Sequence, residues 1–194
     1  MNTAQLYNRL SPFYFIIDSF LKGHKKHLIN AVNNFPTGTI LEVGVGHGTH
    51  LKHYKSNSIT AIDISEKMLI QAKKNNPSNV TFIKMDALNL NQLGQKFDTI
   101  VLSHVISTSK KGNEQISSCF NALQPNGRLI ILNHFTTNKT IGIFEQLFQP
   151  IARLFHFQSY YPFENLTVLK DLKKKKALKF GFLNSYQLVI LEKT

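Results

Sequence analysis

The stretch ILEVGVGHG, Ile40 to Gly48, constrains the fold more than any other part of this chain. A short apolar run carries an acid, Glu42, and runs straight into glycines at alternate positions, Gly44, Gly46 and Gly48. Isoleucine, leucine and valine packed so closely favour a buried strand. Glycine serves where a backbone needs positive φ, or where something must come very near it. A strand that ends in such a turn, with a helix expected near Thr49 to Tyr54, opens a β–α unit. In open sheets built of such units, ligands sit beyond the carboxyl ends of the strands.

The rest of the chain repeats the alternation. ITAIDI predicts a second strand, SEKMLIQAKKNN a helix capped by Ser65, VTFIKMDA a third strand and FDTIVLSHVI a fourth. EQISSCFNALQ predicts a helix ended by Pro125-Asn126-Gly127, and RLIILNHF a fifth strand. Five short apolar strands separated by helices imply a parallel sheet covered on both faces. Further on, IFEQLFQPIARLFHF has helical spacing and many aromatics, and YQLVILEK reads as a final strand with LKFGF as its hairpin partner. Ahead of the core, Leu6, Leu10, Phe13, Tyr14, Ile17, Leu21 and Leu28 form an apolar helical stripe, divided in two at Ser11-Pro12. The 194 residues are expected to make one domain. It comprises a helical cap over 1–34, a ligand-binding core over 36–133, and a substrate-side helix with terminal strands over 134–194.

The glycine spacing narrows the ligand. A dinucleotide site uses G-x-G-x-x-G, whereas this chain has G-x-G-x-G with an acid two residues ahead. The tighter loop suits a ligand without a pyrophosphate, whose amino group Glu42 can meet. Asp63 closes strand two, where a carboxylate can accept both hydroxyls of a ribose. Asp86 closes strand three, placed to receive an adenine amine, and Ala87 offers a backbone N–H beside it. Each acid alone reads equally well as a helix cap or a surface charge. All of them at successive strand ends, next to a glycine loop, are much harder to explain structurally.

The ordered set EVGVGHG, AIDIS, MDA, FDTIV and LQPNGRLII, within residues 36 to 133, resembles the class I S-adenosylmethionine-dependent methyltransferases. The resemblance implies a Rossmann-like α/β fold, a mostly parallel seven-stranded sheet, and S-adenosylmethionine as cofactor with S-adenosylhomocysteine as product. It implies that Gly44, Gly46 and Gly48 cradle the methionine part. Glu42 then orients the loop or meets the ammonium, Asp63 with Ile64 holds the ribose, and Asp86 with Ala87 holds the adenine. Ser103, at the end of strand four, completes the expected contacts. His47 departs from the small residues frequent in such loops and reads as an exposed side chain. Methyl transfer from a sulfonium to an amine is an in-line displacement for which orientation and a water-poor site supply most of the effect, so no metal is expected.

The flanks YNRLSPFY, SHVIST and FQPIARLF are similar to those of the soluble bacterial phosphatidylethanolamine N-methyltransferases, with Asn8 where that family usually carries Asp. This implies N-methylation of a phospholipid amine headgroup, towards phosphatidylcholine. Tyr7 and Tyr14 become candidates for positioning the amine, with Tyr160 and Tyr161 adding cation–π contact. Arg153, with His134 or Arg128, is the candidate for the lipid phosphate.

Charge agrees with such a substrate. Lys and Arg number 23 against 11 acids, a formal net charge of +12, which favours anionic partners such as an acidic membrane surface or nucleic acid. No window reaches the roughly 18 apolar residues of a membrane span, and no secretory signal is expected. Cys119, the single cysteine, excludes an internal disulfide and fits a reducing compartment. The expectation is a cytoplasmic protein, peripherally held at the membrane by Phe13, Phe15, Ile16 and Phe20 beside Lys22, Lys25 and Lys26. The run KDLKKKK, Lys170 to Lys176, reads equally as a solvated face. The main alternative is methylation of a soluble small molecule or a quinone, which would share the whole core. A nucleic-acid methyltransferase ranks lower, because SHVI stands where flipped-base amino methylation uses an Asn/Asp-Pro-Pro-aromatic segment. A noncatalytic binding module ranks lowest, given the intact set of acids.

Overall fold

A computed structural model describes residues 14–35, 38–56, 58–76, 79–109, 111–136, 142–143, 145–147, 149–150, 160–171, 173–181 and 184–193. Its strands are β1 (Thr39–Val43), β2 (Ser58–Asp63), β3 (Val80–Lys84), β4 (Phe97–Ser103), β5 (Leu123–His134), β6 (Lys173–Phe180) and β7 (Tyr186–Glu192). The α-helices with defined bounds are α1 (Tyr14–Asn33), α2 (Glu66–Asn75) and α3 (Gly112–Asn121). The strands form one seven-stranded sheet in the order β3-β2-β1-β4-β5-β7-β6. Neighbours from β3 through β5 pair in parallel, and β7 runs antiparallel to both β5 and β6. From β1 the chain works outward to β3, then returns to lay β4 on β1's other side. The strand order therefore reverses between β1 and β4, where an open sheet leaves a crevice beyond its strand ends.

Strand alternation divides the core between the two faces. Leu41 and Val43 of β1 join Ile62, Ile100, Leu102, Ile116 and Cys119 in one cluster, which α3 covers. Ile40 joins Leu28, Ala31 and Val32 of α1 and Leu69 and Ala72 of α2 in the other. Helices thus lie on both faces, as the apolar runs imply. Ser65 caps α2 by accepting a hydrogen bond from Met68 N at 3.3 Å. Buried Cys119 has its thiol pushed up to about 12 by desolvation, so it is an inert part of the core.

The structure differs from the sequence reading at several places. Instead of a helix over Thr49 to Tyr54 there is a single 3-10 turn, Leu51–His53, after which Tyr54 is already extended. Lys173 to Lys176 belong to β6, the outer strand of the sheet, so much of the lysine run, expected as a solvated face, is a sheet edge. Lysines there discourage pairing with another strand. Lys25 is only 9% exposed and leaves the basic surface expected of α1, whereas Lys26 is exposed. Phe13 and the helical piece before Pro12 lie outside the described residues, as do the side chains of Phe15, Ile16, Phe20 and Lys22. Among the described residues no helix is long and apolar enough to cross a membrane.

Candidate functional site

The glycine turn leaves β1 and bends across the end of β2. Gly44 N and Val45 N both donate to Ile62 O, at 2.9 and 3.0 Å, which ties the turn to the neighbouring strand. Gly44, Gly46 and Gly48 take φ of 67, 55 and 61°, the left-handed region that a side chain strains. Space forbids side chains as well. A Cβ on Gly44 would lie 2.5 Å from Val105 Cγ2, and one on Gly48 would lie 3.0 Å from Asn76 Nδ2 and 3.2 Å from the methyl of Ala72. The loop is thereby pressed between the segment leaving β4 and helix α2.

Asp63, 8% exposed, stands at the end of β2. Its Oδ2 accepts from Gly46 N at 2.9 Å and its Oδ1 from Ser65 N at 2.8 Å, so one carboxylate fastens the glycine loop to the cap of α2. Burial pushes its pKa up, and the N–H groups of Ser65, Gly46 and Ile64 pull it back. Ile64 beside it is half-buried. Met85 N donates to Asp63 O at 3.0 Å, joining the ends of β2 and β3. Asp86 is exposed and caps the following 3-10 segment by accepting from Leu88 N at 3.0 Å, while Ala87 is buried. On the other side of β1, Ser103 ends β4 with its Oγ buried and without a hydrogen-bond partner.

Glu42 lies beneath this surface, fully buried. Its Oε1 meets His50 Nε2 at 2.9 Å and its Oε2 accepts from Tyr54 OH at 3.1 Å. Of the two roles considered for Glu42, this geometry serves the orienting one: the carboxylate fixes the turn that follows the glycines. Desolvation, then the charge of Glu42, holds the Tyr54 phenol well above its usual range, so it stays protonated and donates.

The substrate-side residues separate. His134 ends β5, with Nε2 3.0 Å from Glu145 Oε1 and its ring 5.5 Å from that of Tyr186. Arg128 is six residues earlier on the same strand, about 20 Å away at strand rise. It pairs with Glu192 at 3.7 Å and covers Phe35 at 4.2 Å, at the opposite end of the strand from His134, the other candidate to join Arg153. Tyr161 is a core residue, 5% exposed and packed against Phe135, which removes it from an aromatic surround. Tyr160 is half-buried, with its N–H donating to Gln149 Oε1 at 2.9 Å. Tyr7, Arg153 and the side chain of Tyr14 lie outside the described residues.

Three residues of this edge escaped the sequence reading as site residues. His104 directly follows β4 at φ 59°, and its buried Nε2 has no hydrogen-bond partner. Tyr186 begins β7, and His24 of α1 lies tilted against it with ring centroids 3.9 Å apart. SHVI offered a signal for His104, a polar residue immediately past a strand end. Nothing local marks His24 or Tyr186, which only the antiparallel return of β7 brings together.

The chemistry of this set fits S-adenosylmethionine. A backbone turn without side chains, a buried carboxylate at the end of β2, a second acid just past β3 and an unpartnered hydroxyl at the end of β4 stand at the carboxyl ends of four neighbouring strands. Among the described residues, no three His, Cys, Asp or Glu side chains are grouped so as to hold a metal ion.

Residues 41–131 match the family described as a methyltransferase domain. The chain is 32% identical over 108 residues to the phosphatidylethanolamine N-methyltransferase of Cereibacter sphaeroides, a match covering 53% of each chain. It is 27% identical over 147 residues to the ubiquinone/menaquinone biosynthesis C-methyltransferase of Wigglesworthia glossinidia brevipalpis, covering 71% of this chain and 55% of that one. The chain thus spans about half the length of these curated relatives. Its fold is that of the N-methyltransferase NodS from Bradyrhizobium japonicum, solved with S-adenosyl-L-homocysteine, at a TM-score of 0.76 and 15% identity over 100% of this chain and 99% of that one.

Proposed function

We propose that this chain, a class I S-adenosylmethionine-dependent methyltransferase by its fold and by the domain over residues 41–131, methylates the amine of a phospholipid headgroup. The acceptor is phosphatidylethanolamine or its partly methylated derivatives, on the way to phosphatidylcholine. The observation that carries this reading is the 32% identity with a phosphatidylethanolamine N-methyltransferase, joined to the flanks YNRLSPFY and FQPIARLF.

When bound, the cofactor supplies an electrophilic methyl group on sulfur. The chain supplies position. The glycine turn receives the methionine part against bare backbone, and Asp63 meets the ribose hydroxyls with the carboxylate that already braces the turn. Asp86 and the N–H of Ala87 take the adenine edge, and Ser103 faces the crevice from the β4 side. The acceptor approaches from the ends of β4 and β5, where His134 with Arg153 meets the phosphate and Tyr7 and Tyr14 guide the amine. Exposed Lys26, Lys173, Lys176 and Lys179 hold the protein at an anionic, cytoplasm-facing bilayer surface, at about 1 kcal/mol each.

A radiolabelled methyl-transfer assay with vesicles of phosphatidylethanolamine and an anionic lipid tests this directly. Label is expected in mono-, di- or trimethylated lipid. Unlabelled lipid, with calorimetry showing intact cofactor binding, would overturn the phospholipid reading while leaving the methyltransferase one. The second reading is a quinone-ring carbon as acceptor, favoured by the relative that matches 71% of this chain. Label in an added demethylated quinone, and none in the vesicles, would select it.

A further inference from the structure

The edge of the sheet where β4, β5 and β7 meet gathers imidazoles around one phenol. His24, His104 and His134 have ring centroids 3.9, 5.7 and 5.5 Å from that of Tyr186, and His24 and His104 are 6.5 Å apart. Phe180 of β6 closes the group behind His24 and Tyr186, at 5.5 and 6.3 Å. His134 is committed to Glu145, and Glu145 is also engaged by the Thr136 hydroxyl. His24 also buries an unpartnered nitrogen, Nδ1, and His104 differs from the others in its backbone. Its backbone is turned into the left-handed region at φ 59°, an arrangement uncommon outside glycine, and its N–H is anchored to Leu132 O at 2.7 Å. That conformation strains the chain, and it delivers an Nε2 that is buried yet unpartnered. A polar atom desolvated without a partner destabilises a fold, so one left this way at a strand-end crevice points to a ligand that completes it.

We propose that this cluster is the receiving site for the acceptor amine, in which Nε2 of His104 accepts a hydrogen bond from an amine N–H while Tyr186 and His24 hold the imidazole in place. This rests on the amine-acceptor reading given above. The ligand class follows from the chemistry of the surroundings. Burial, and then the charge of Lys25 with the neighbouring His24, His134 and His50, push His104 down to about 3, so it is neutral near pH 7. With its proton on Nδ1, the neutral imidazole presents a lone pair at Nε2 and takes an N–H donor there. The same surroundings oppose a positive charge on the incoming nitrogen. An ammonium that enters gives a proton to water and stays as the neutral amine, whose lone pair is what a methyl group must meet. No further reagent is needed. On a primary or singly methylated amine, a hydrogen bond from an N–H that remains to His104 then fixes where that lone pair points. His104 is the residue that touches substrate in this account, and Tyr186 and His24 are positioning residues.

Two measurements test the assignment. First, the imidazole ¹⁵N signals of the wild-type protein saturated with S-adenosylhomocysteine are followed during titration with dodecylphosphoethanolamine micelles, and separately with dodecylphosphate micelles that lack the amine. The His104 signal, identified by its loss in H104N, should move with the amine-bearing micelles only. Equal movement with both, or none with either, would overturn the assignment. Second, H104N and H104G are compared in the vesicle assay. Asparagine and glycine both tolerate the left-handed backbone, but only asparagine restores an acceptor atom. H104N should stay within about threefold of wild type, and H104G should lose about tenfold to a hundredfold in kcat/KM, the range of a hydrogen bond to a polar or charged group. Both variants should bind S-adenosylhomocysteine as wild type does, and full activity of H104G would sink the proposal. The two readings fail separately. Labelled vesicles with a silent His104 signal would refute only the His104 assignment. Unlabelled vesicles with a responsive signal would refute only the phospholipid.

Discussion

Asp63 was placed correctly at the end of a strand from ITAIDI alone, because an acid that closes an apolar run has few other positions to take. Its attachment to Gly46 N and Ser65 N was not legible, since both contacts depend on how the turn folds back. That attachment makes Asp63 brace and ligand at once. Asp63→Asn should therefore weaken S-adenosylhomocysteine binding at least about tenfold by calorimetry, a loss in the range of a charged hydrogen bond. Unchanged affinity would remove the ribose role. For Glu42 the sequence left two roles open, orienting the loop or meeting the ammonium, and both of its oxygens meet side chains that follow the glycines, His50 and Tyr54. Tyr54→Phe leaves a buried carboxylate oxygen without its donor and should lower stability by about 1–3 kcal/mol in urea unfolding. A change below about 0.5 kcal/mol would mean that water replaces the phenol without cost.

At the scale of elements, strands with clean apolar periods appeared where the sequence put them, but α3 stops at Asn121 and β5 starts at Leu123, so Pro125-Asn126-Gly127, expected to end the helix, lie within the strand; short connections differed as well. LKHY reads as a helix start, but the turn ends after Leu51–His53 because the chain must reach β2 within a few residues and Tyr54 must return to Glu42. The lysine run is the instructive case. As sequence it reads as a solvated stretch, whereas its pairing partner YQLVILE turns Lys173 to Lys176 into part of the sheet's outer strand. Lys173, Lys176 and Lys179 are exposed along it. Exchanging these for glutamine should reduce sedimentation with vesicles containing anionic lipid, most at low ionic strength, because charge attraction to a surface falls off within a Debye length. Binding that is equally strong for the triple variant at low salt would leave β6 as a protected edge and nothing more.

For the whole molecule, the doubly wound core was legible because each strand carries its own apolar run and each helix its own period. What brings His24, His104, His134 and Tyr186 together was not, since it is the antiparallel return of β7 beside β5 that seats Tyr186 next to His134. This assembly has a consequence for stability that a single residue would not show. Burial is the main cause that lowers His24, His104 and His134 below the ordinary histidine range, His104 to about 3. A folded-state pKa below the unfolded value means that, between the two, the unfolded chain binds more protons. Stability is then fully present above about pH 6.5 and is lost progressively as pH falls towards the folded values. For His104 alone the linkage amounts to about 1 kcal/mol at pH 5.5. Asp63 and Glu145 are raised by burial and act in the opposite sense. Urea unfolding of wild type and H104N at pH 7.5 and 5.5 isolates the His104 contribution to this window. Wild type should lose stability across it, and H104N should lose about 1 kcal/mol less. An equal loss in both proteins would show that His104 is protonated no less readily in the folded state than in the unfolded one.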